Sequence, residues 1–143
     1  MKLKILPALA ILLLLLLSAA CSKPSKGPLL LIWNYESFDS QPHISQQITK
    51  AAGNTFTVWL GIHREENFQW SEPAQISDQT VVRQIEDDFA IMKKVRLTKL
   101  DSDHVWTFKA LKKGTSTITL EYSQPWEGGE KGKWTYNLTV VVE

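Results

Sequence analysis

The sequence predicts an all-β protein built as a β-sandwich. The clearest observation is residues 115–142, where apolar and polar side chains alternate along two runs separated by a long connection. Alternation with a period of two is typical of an antiparallel hairpin with one buried face. Further short alternating runs, separated by turn signals, are typical of a sandwich. The sequence contains one cysteine, Cys21, so we expect no intrachain disulfide.

The N-terminus has the pattern of an export signal. Lys2 and Lys4 form a positive region before an apolar run over residues 5–17. This run is shorter than the roughly 20 residues that span a bilayer, so a permanent transmembrane helix is the weaker interpretation. The small residues at positions 18–20 then suit cleavage by a signal peptidase.

Cys21 directly follows these small residues. Residues 17–21 resemble a bacterial lipoprotein signal, which is cleaved just before a cysteine that then carries the lipid, although Ser18 stands where leucine is usual. The alternative is an incidental cysteine near an ordinary cleavage site. We expect residues 1–20 to be a lipoprotein signal peptide, residues 21–28 a lipidated flexible tether and residues 29–143 the folded domain. The expected location is the cell envelope, on the periplasmic side of the outer membrane in a Gram-negative cell.

The composition of the processed chain argues against several classes of partner. Cleavage before Cys21 would leave 123 of the 143 residues, which is the size of one domain. Without Lys2 and Lys4, 14 basic side chains stand against 15 acidic ones. No basic patch or stripe stands out, which argues against a nucleic-acid partner. We expect a monomer that is attached to the membrane by its lipid.

The first strands can be assigned in chain order. Leu29–Trp33 is an apolar run that fits an edge strand or a segment packed on the domain. Residues 44–50 fit a strand or a helical turn, because their isoleucines satisfy both periods. Residues 55–62 alternate as a strand, and residues 68–70 open another strand that ends at Pro73.

The middle of the chain is less regular. Asp78 fits the cap of a single helical turn through Val82, and a longer helix also fits the apolar spacing that follows. The surrounding pattern favours strands from about Arg83 onward, continuing over residues 95–97. Residues 105–110 form a further strand, and a turn over residues 112–114 then leads into the hairpin.

The acidic and histidine residues are not spaced for catalysis or metal binding. Asp101 and Asp103 begin like a calcium loop, but the glycine and the closing glutamate that this geometry needs are missing. His43, His63 and His104 lie far apart, without metal-ligand spacing. We therefore expect no enzymatic activity, no cofactor and no metal.

Residues 106–127 carry a resemblance to a known family. They contain Trp-Thr-Phe-Lys-Ala, then Gly114, then Leu-Glu-Tyr-Ser-Gln-Pro-Trp-Glu. This order resembles the chagasin-like inhibitors of papain-type cysteine proteases, whose signature there is a strand, a tyrosine, Arg-Pro-Trp, a loop and a last strand. Upstream, residues 55–60 look like the family's second strand, and Phe68-x-Trp70 looks like the start of its third. The resemblance covers residues 44–142 and implies an immunoglobulin-like β-sandwich without disulfides.

In that family, three loops at one end of the sandwich plug the protease cleft. The resemblance therefore implies protease-binding residues in three loops: His63, Arg64, Glu65, Glu66, Asn67 and Phe68; Asp101, Ser102 and Asp103; and Gln124, Pro125 and Trp126. Pro125 and Trp126 match the family's pattern, whereas Gln124 replaces its arginine. In the first loop only Phe68 matches, and residues 98–103 lack the glycines that are usual in the family.

Two functions remain open from the sequence. The first is a lipid-anchored inhibitor of papain-like cysteine proteases that inserts its loops into the active-site cleft. There, Trp126 would pack beside the active site and residues 63–68 would cover the catalytic cysteine. The alternative is a non-inhibitory immunoglobulin-like binding module of the envelope that uses the same loops. Glu65 and Glu66 discriminate between the two functions. An inhibitor that plugs a cleft should need an uncharged loop there, because burying two unpaired carboxylates is costly.

Overall fold

The computed structural model describes residues 28–63, 67–90 and 103–143. The predicted signal peptide, the predicted lipidation site Cys21 and nearly all of the tether lie outside the described residues. So does the strand expected over residues 95–97. Five predicted contact residues lie there as well: Arg64, Glu65, Glu66, Asp101 and Ser102. Within the described ranges, no helix is long and apolar enough to cross a membrane.

The described residues form nine strands and one short helix. Their bounds are β1 Leu29–Trp33, α1 Tyr35–Ser40, β2 His43–Lys50, β3 Thr55–Gly61, β4 Gln69–Trp70, β5 Gln75–Ile76, β6 Val82–Ala90, β7 Asp103–Ala110, β8 Gly114–Ser123 and β9 Trp134–Val142. The described residues are thus mostly β-strand, as predicted.

The strands pair into two sheets. In the described part of the chain, one sheet has the order β1-β3-β7-β6 and the other has the order β2-β9-β8-β4, with β5 also paired to β8. The β1–β3 and β2–β9 pairs are parallel, and the remaining pairs are antiparallel. Residues 29–33 and 44–50, whose assignment the sequence left open, are therefore strands at the outer ends of these two orders.

The β8–β9 hairpin supplies much of the core. Tyr122 pairs with Trp134, and Ile118 pairs with Leu138. Every second residue of both strands is buried, and the residues between them are more exposed. The alternation seen in the sequence therefore reflects one face packed inside the sandwich, where burying apolar area supplies the main stabilising free energy.

Of the two alternatives predicted after Asp78, a single helical turn and a longer helix, the structure contains the single turn. The Asp78 carboxylate accepts hydrogen bonds from the Thr80 backbone N–H at 2.8 Å and from the Thr80 hydroxyl at 2.6 Å. The backbone N–H groups of Val81 and Val82 both donate to the Asp78 carbonyl at 3.2 Å. β6 begins at Val82, so the longer helix is wrong and the predicted strand from about Arg83 is confirmed.

Candidate functional site

The strand pairing brings the three predicted loop regions to one end of the sandwich. In one sheet, Asp103 pairs with both Gly61 and Ala90. In the other sheet, Gln69 pairs with Ser123. Because the chain passes from Gly61 directly to Gln69 through residues 62–68, these strand ends lie together. We call this end, at which β3, β6 and β8 end and β4, β7 and β9 begin, the loop end.

A fourth connection also lies at the loop end, and the sequence analysis missed it. Residues 34–42 lead from the end of β1 to the start of β2 and contain α1. The Asn34 side chain caps this helix by accepting a hydrogen bond from the Ser37 backbone N–H at 2.9 Å. Phe38 is fully buried, with its ring centroid 5.3 Å from that of Trp134 and 5.1 Å from that of Trp70.

A cluster of buried aromatic side chains supports the loop end. Its members are Phe38, Phe68, Trp70, Trp106, Tyr122 and Trp134. The Tyr122 ring stacks on Trp134 with centroids 4.6 Å apart and lies 5.0 Å from Trp70. Such pairs contribute roughly 0.5–1.5 kcal/mol each beyond the area they bury. The strand ends that carry the loops are therefore fixed by dense aromatic packing.

The first contact loop is anchored by two buried side chains. The Tyr122 hydroxyl accepts a hydrogen bond from the His63 backbone N–H at 3.0 Å and lies 3.2 Å from the His63 carbonyl, to which it donates. The Trp70 indole N–H donates to the Gly61 carbonyl at 3.0 Å. Side chains from β8 and β4 therefore hold the end of β3 and the start of the loop in place.

Two of the predicted contact residues in this loop differ in their environment. Asn67 is exposed and has a φ of 53°, a left-handed conformation that asparagine tolerates better than most residues. Phe68 is only 9% exposed and stacks on Tyr122 with centroids 5.5 Å apart, while the Lys133 ammonium lies 4.9 Å from its ring centroid. Phe68 thus packs beneath the loop, whereas the resemblance implies a contact residue.

Asp103 is also buried, although the resemblance implies that it lies in a contact loop. It is the first residue of β7 and is 8% exposed. Burial raises the pKa of its carboxyl above the ordinary value, and the nearby Trp59 side chain acts in the opposite direction. Asp103 therefore belongs to the base of the β6–β7 connection.

The hairpin loop over residues 124–133 is held by its own hydrogen bonds. The Gln124 backbone N–H donates to the Glu130 carbonyl, and the Glu130 N–H donates to the Gln124 side-chain oxygen, both at 2.8 Å. The Lys131 ammonium donates to the carbonyls of Gln124 and Trp126. The Gly129 N–H also donates to the Trp126 carbonyl, at 3.2 Å. This network links residues 124–126 to residues 129–131 across the loop.

Trp126 lies on the outside of this ordered loop. Its side chain is 47% exposed, and Pro125 beside it is exposed as well. A Cβ atom built on Gly129 would lie 3.0 Å from the Trp126 indole nitrogen and 2.7 Å from the Gln124 Cβ. Glycine at position 129 therefore lets the indole lie along the loop while its other side faces solvent.

Gln124 is part of the loop's internal framework. Its side-chain oxygen accepts the Glu130 N–H, a role that the arginine usual in the family cannot perform, because a guanidinium has no acceptor. The residue is half-buried. Gln124 therefore supports the loop that carries Trp126. The resemblance implies that it also contacts the protease directly.

Replacing Tyr122 with phenylalanine tests how the first loop is anchored. The change keeps the ring contacts but leaves the His63 N–H without its partner, which should lower the free energy of unfolding by about 1–3 kcal/mol. Amide hydrogen exchange at His63 should become faster. Tyr136→Phe is the matched control, because Tyr136 is equally buried but its hydroxyl donates to Gln46. Unchanged exchange at His63 in Tyr122→Phe would contradict the anchoring role.

The described residues offer no metal centre, since no three of their histidine, cysteine, aspartate and glutamate side chains are grouped to hold an ion. The described residues of the loop end include one exposed tryptophan, Trp126, on a loop that is held by its own hydrogen bonds. The fold and this loop together define a disulfide-free, immunoglobulin-like domain that presents loops from one end.

Comparison with known proteins identifies the family. The sequence model described as "Chagasin family peptidase inhibitor I42" matches residues 49–140, which is more than half of the chain. The chain therefore belongs to the chagasin family, whose members are peptidase inhibitors and not enzymes. No curated protein sequence matches the chain.

Solved structures of similar fold include two inhibitor structures. The cysteine protease inhibitor EhICP2 from Entamoeba histolytica superposes with a TM-score of 0.59 at 19% identity, over 85% of this chain and 100% of that one. PbICP-C, solved in complex with falcipain-2, gives a TM-score of 0.50 at 16% identity, over 83% of this chain and 100% of that one. At these identities the likeness concerns the fold, and it confirms the predicted immunoglobulin-like sandwich.

Proposed function

We propose that this protein is a lipid-anchored inhibitor of papain-like cysteine proteases and that it acts by inserting its loop end into the active-site cleft. Family membership supports the inhibitory class, and the complex of PbICP-C with falcipain-2 provides a precedent for the type of partner. The observation that carries the loop mechanism is the position of Trp126, exposed on a loop that is already ordered by its own hydrogen bonds.

An ordered loop favours tight binding for a physical reason. Association immobilises flexible groups at a cost of about 0.5–1.5 kcal/mol for each rotamer-rich side chain, and a loop that is already ordered avoids much of this cost. Exposed tryptophans are also enriched among the residues that dominate interface energetics. In this mechanism Trp126 and Pro125 contact the wall of the cleft, while residues 63–67 lie over the catalytic cysteine.

The experiment for this proposal is a titration of papain with the chain from Ser22 onward, read as hydrolysis of a small peptide substrate. We expect inhibition that is competitive with substrate, because the loops and the substrate occupy the same cleft. Gradual relief of inhibition at rising substrate concentration would support occlusion. Absence of inhibition of papain and of a bacterial papain-like protease at micromolar concentration would favour the non-inhibitory binding module instead.

The lipid anchor is tested separately by Cys21→Ser. The proposal rests on the apolar segment over residues 5–17, the small residues after it and the single cysteine. A serine cannot accept the thioether-linked lipid, so the variant should leave the membrane fraction or accumulate unprocessed. Fractionation of Cys21→Ser and wild type on a sucrose gradient provides the measurement. A processed variant that stays with membranes as the wild type does would show that Cys21 is not the anchor.

A further inference from the structure

Helix α1 lies beside the first contact loop. Tyr35, its first residue, is 39% exposed, and its ring meets the His63 ring edge-on with centroids 5.6 Å apart. His63 is the residue whose backbone is held by Tyr122 at the start of the loop. The helix therefore touches the loop at the point where the loop leaves the sandwich.

The approach of α1 to β3 depends on a glycine. A Cβ atom on Gly61 would lie 2.5 Å from the Tyr35 backbone nitrogen and 3.0 Å from the Asn34 carbonyl carbon. Real Cβ contacts are not this short, so a side chain at position 61 would push the segment away. Together with the buried Phe38, this close approach fixes the helix against the sandwich.

The topology places α1 on a particular side of the loop end. β1 and β2, which it connects, are the first strands of the two sheet orders, whereas β6 is the last strand of its sheet. The helix therefore lies on the β1 and β2 side of the loop end, whereas Ala90, the last residue of β6, lies on the other side. A protease that receives the hairpin loop over residues 124–133 in its cleft would meet α1 at one rim of that cleft.

We propose that α1 is a fourth contact element of the inhibitor and that Tyr35 packs on the rim of the protease cleft next to His63. This inference rests on the proposed function. A partly exposed tyrosine suits such a rim contact, because it offers a large apolar area and a hydroxyl while losing few rotamers on binding. The hydroxyl makes one long contact in the described structure, 3.5 Å to the Glu36 carboxylate.

The first test measures the inhibition constant of the full-length chain against papain for three variants. Tyr35→Ala should weaken inhibition about tenfold, the effect of an aromatic at the edge of an interface. Tyr35→Phe should stay within about threefold of wild type, because the ring is kept. Leu30→Ala is the matched control, since Leu30 is 49% exposed on the same side of the sandwich but near the opposite end of β1. Equal inhibition by Tyr35→Ala and Leu30→Ala would overturn the inference.

The second test separates contact from mere support of the loop. A photo-reactive benzoylphenylalanine at position 35 should cross-link to papain on irradiation, whereas the same group at position 30 should not. Loss of inhibition in Tyr35→Ala without a cross-link from position 35 would assign Tyr35 a supporting role and overturn the contact. If wild type inhibits papain and only the Tyr35 results fail, the proposed function stands without α1. If wild type neither inhibits nor binds papain-like proteases, both proposals fail.

Discussion

Trp126→Ala is expected to weaken inhibition of papain at least about thirtyfold, which corresponds to about 2 kcal/mol of binding free energy. The physical reason is that this indole is the large apolar side chain that the ordered hairpin loop presents to solvent. Because the side chain is about half exposed, its truncation should change the free energy of unfolding by less than about 0.5 kcal/mol. One inhibition titration and one denaturation curve on the same variant measure both quantities.

Ile85→Ala is the control for Trp126→Ala. Ile85 is 49% exposed, which is similar to the exposure of Trp126, but it lies in the middle of β6. Its truncation should leave inhibition unchanged. If Trp126→Ala instead lowers the stability by several kcal/mol while each folded molecule inhibits normally, the indole serves packing, and the loop mechanism is wrong for this residue.

The largest stability effect is expected for Phe38→Ala. This ring is fully buried between Trp70 and Trp134, and its removal should lower the free energy of unfolding by about 3–5 kcal/mol. The loss combines the transfer of the ring from water with the cavity left beneath the loop end. Urea denaturation followed by tryptophan fluorescence provides the measurement, because two of the ring's neighbours are tryptophans.

Asp39→Ala gives the comparison for Phe38→Ala on the same helix. Asp39 is exposed, so its replacement should change the stability by no more than about 0.5 kcal/mol. A loss below about 1 kcal/mol in Phe38→Ala would mean that α1 is not docked on the aromatic cluster as described. The inference about Tyr35 would then lose its structural basis, while the role of Trp126 would be unaffected.

The hairpin was predictable because its strands are long and each has one buried face. Ten residues of β8 and nine of β9 alternate without interruption, and period-two alternation over such lengths fits a half-buried strand and no regular helix. Period-two alternation could not establish that the β1 and β2 segments are strands. Their assignment depends on parallel pairing with β3 and β9, partners that are distant in sequence.

Helix α1 escaped prediction because it is too short to show a helical period. Its six residues contain one buried side chain, Phe38, and the local signal is the capping residue Asn34. Its position is set by tertiary contacts, namely the aromatic rings that receive Phe38 and the glycine at position 61. A short helix fixed in this way leaves little trace in hydrophobic patterning.

The sequence predicted which loops form the candidate site, but it could not predict the environment of each residue in them. Trp126 and Pro125 were identified because they match the family's pattern, and both are exposed. The burial of Phe68 and Asp103 could not be read from the sequence, because it depends on which strands flank each loop in space. The hydrogen bond that Gln124 accepts from Glu130 likewise depends on how the loop closes on itself.

The most direct measurement of the central claim, that the loop end fills the protease cleft, is protection of the catalytic cysteine. Papain's active-site thiolate reacts readily with iodoacetamide, and its alkylation can be followed by mass spectrometry. An equimolar amount of the inhibitor should slow this alkylation at least about thirtyfold, and Trp126→Ala at the same concentration should protect less. Alkylation at the unprotected rate, in a complex shown by gel filtration to be intact, would place the binding site outside the cleft and contradict the account.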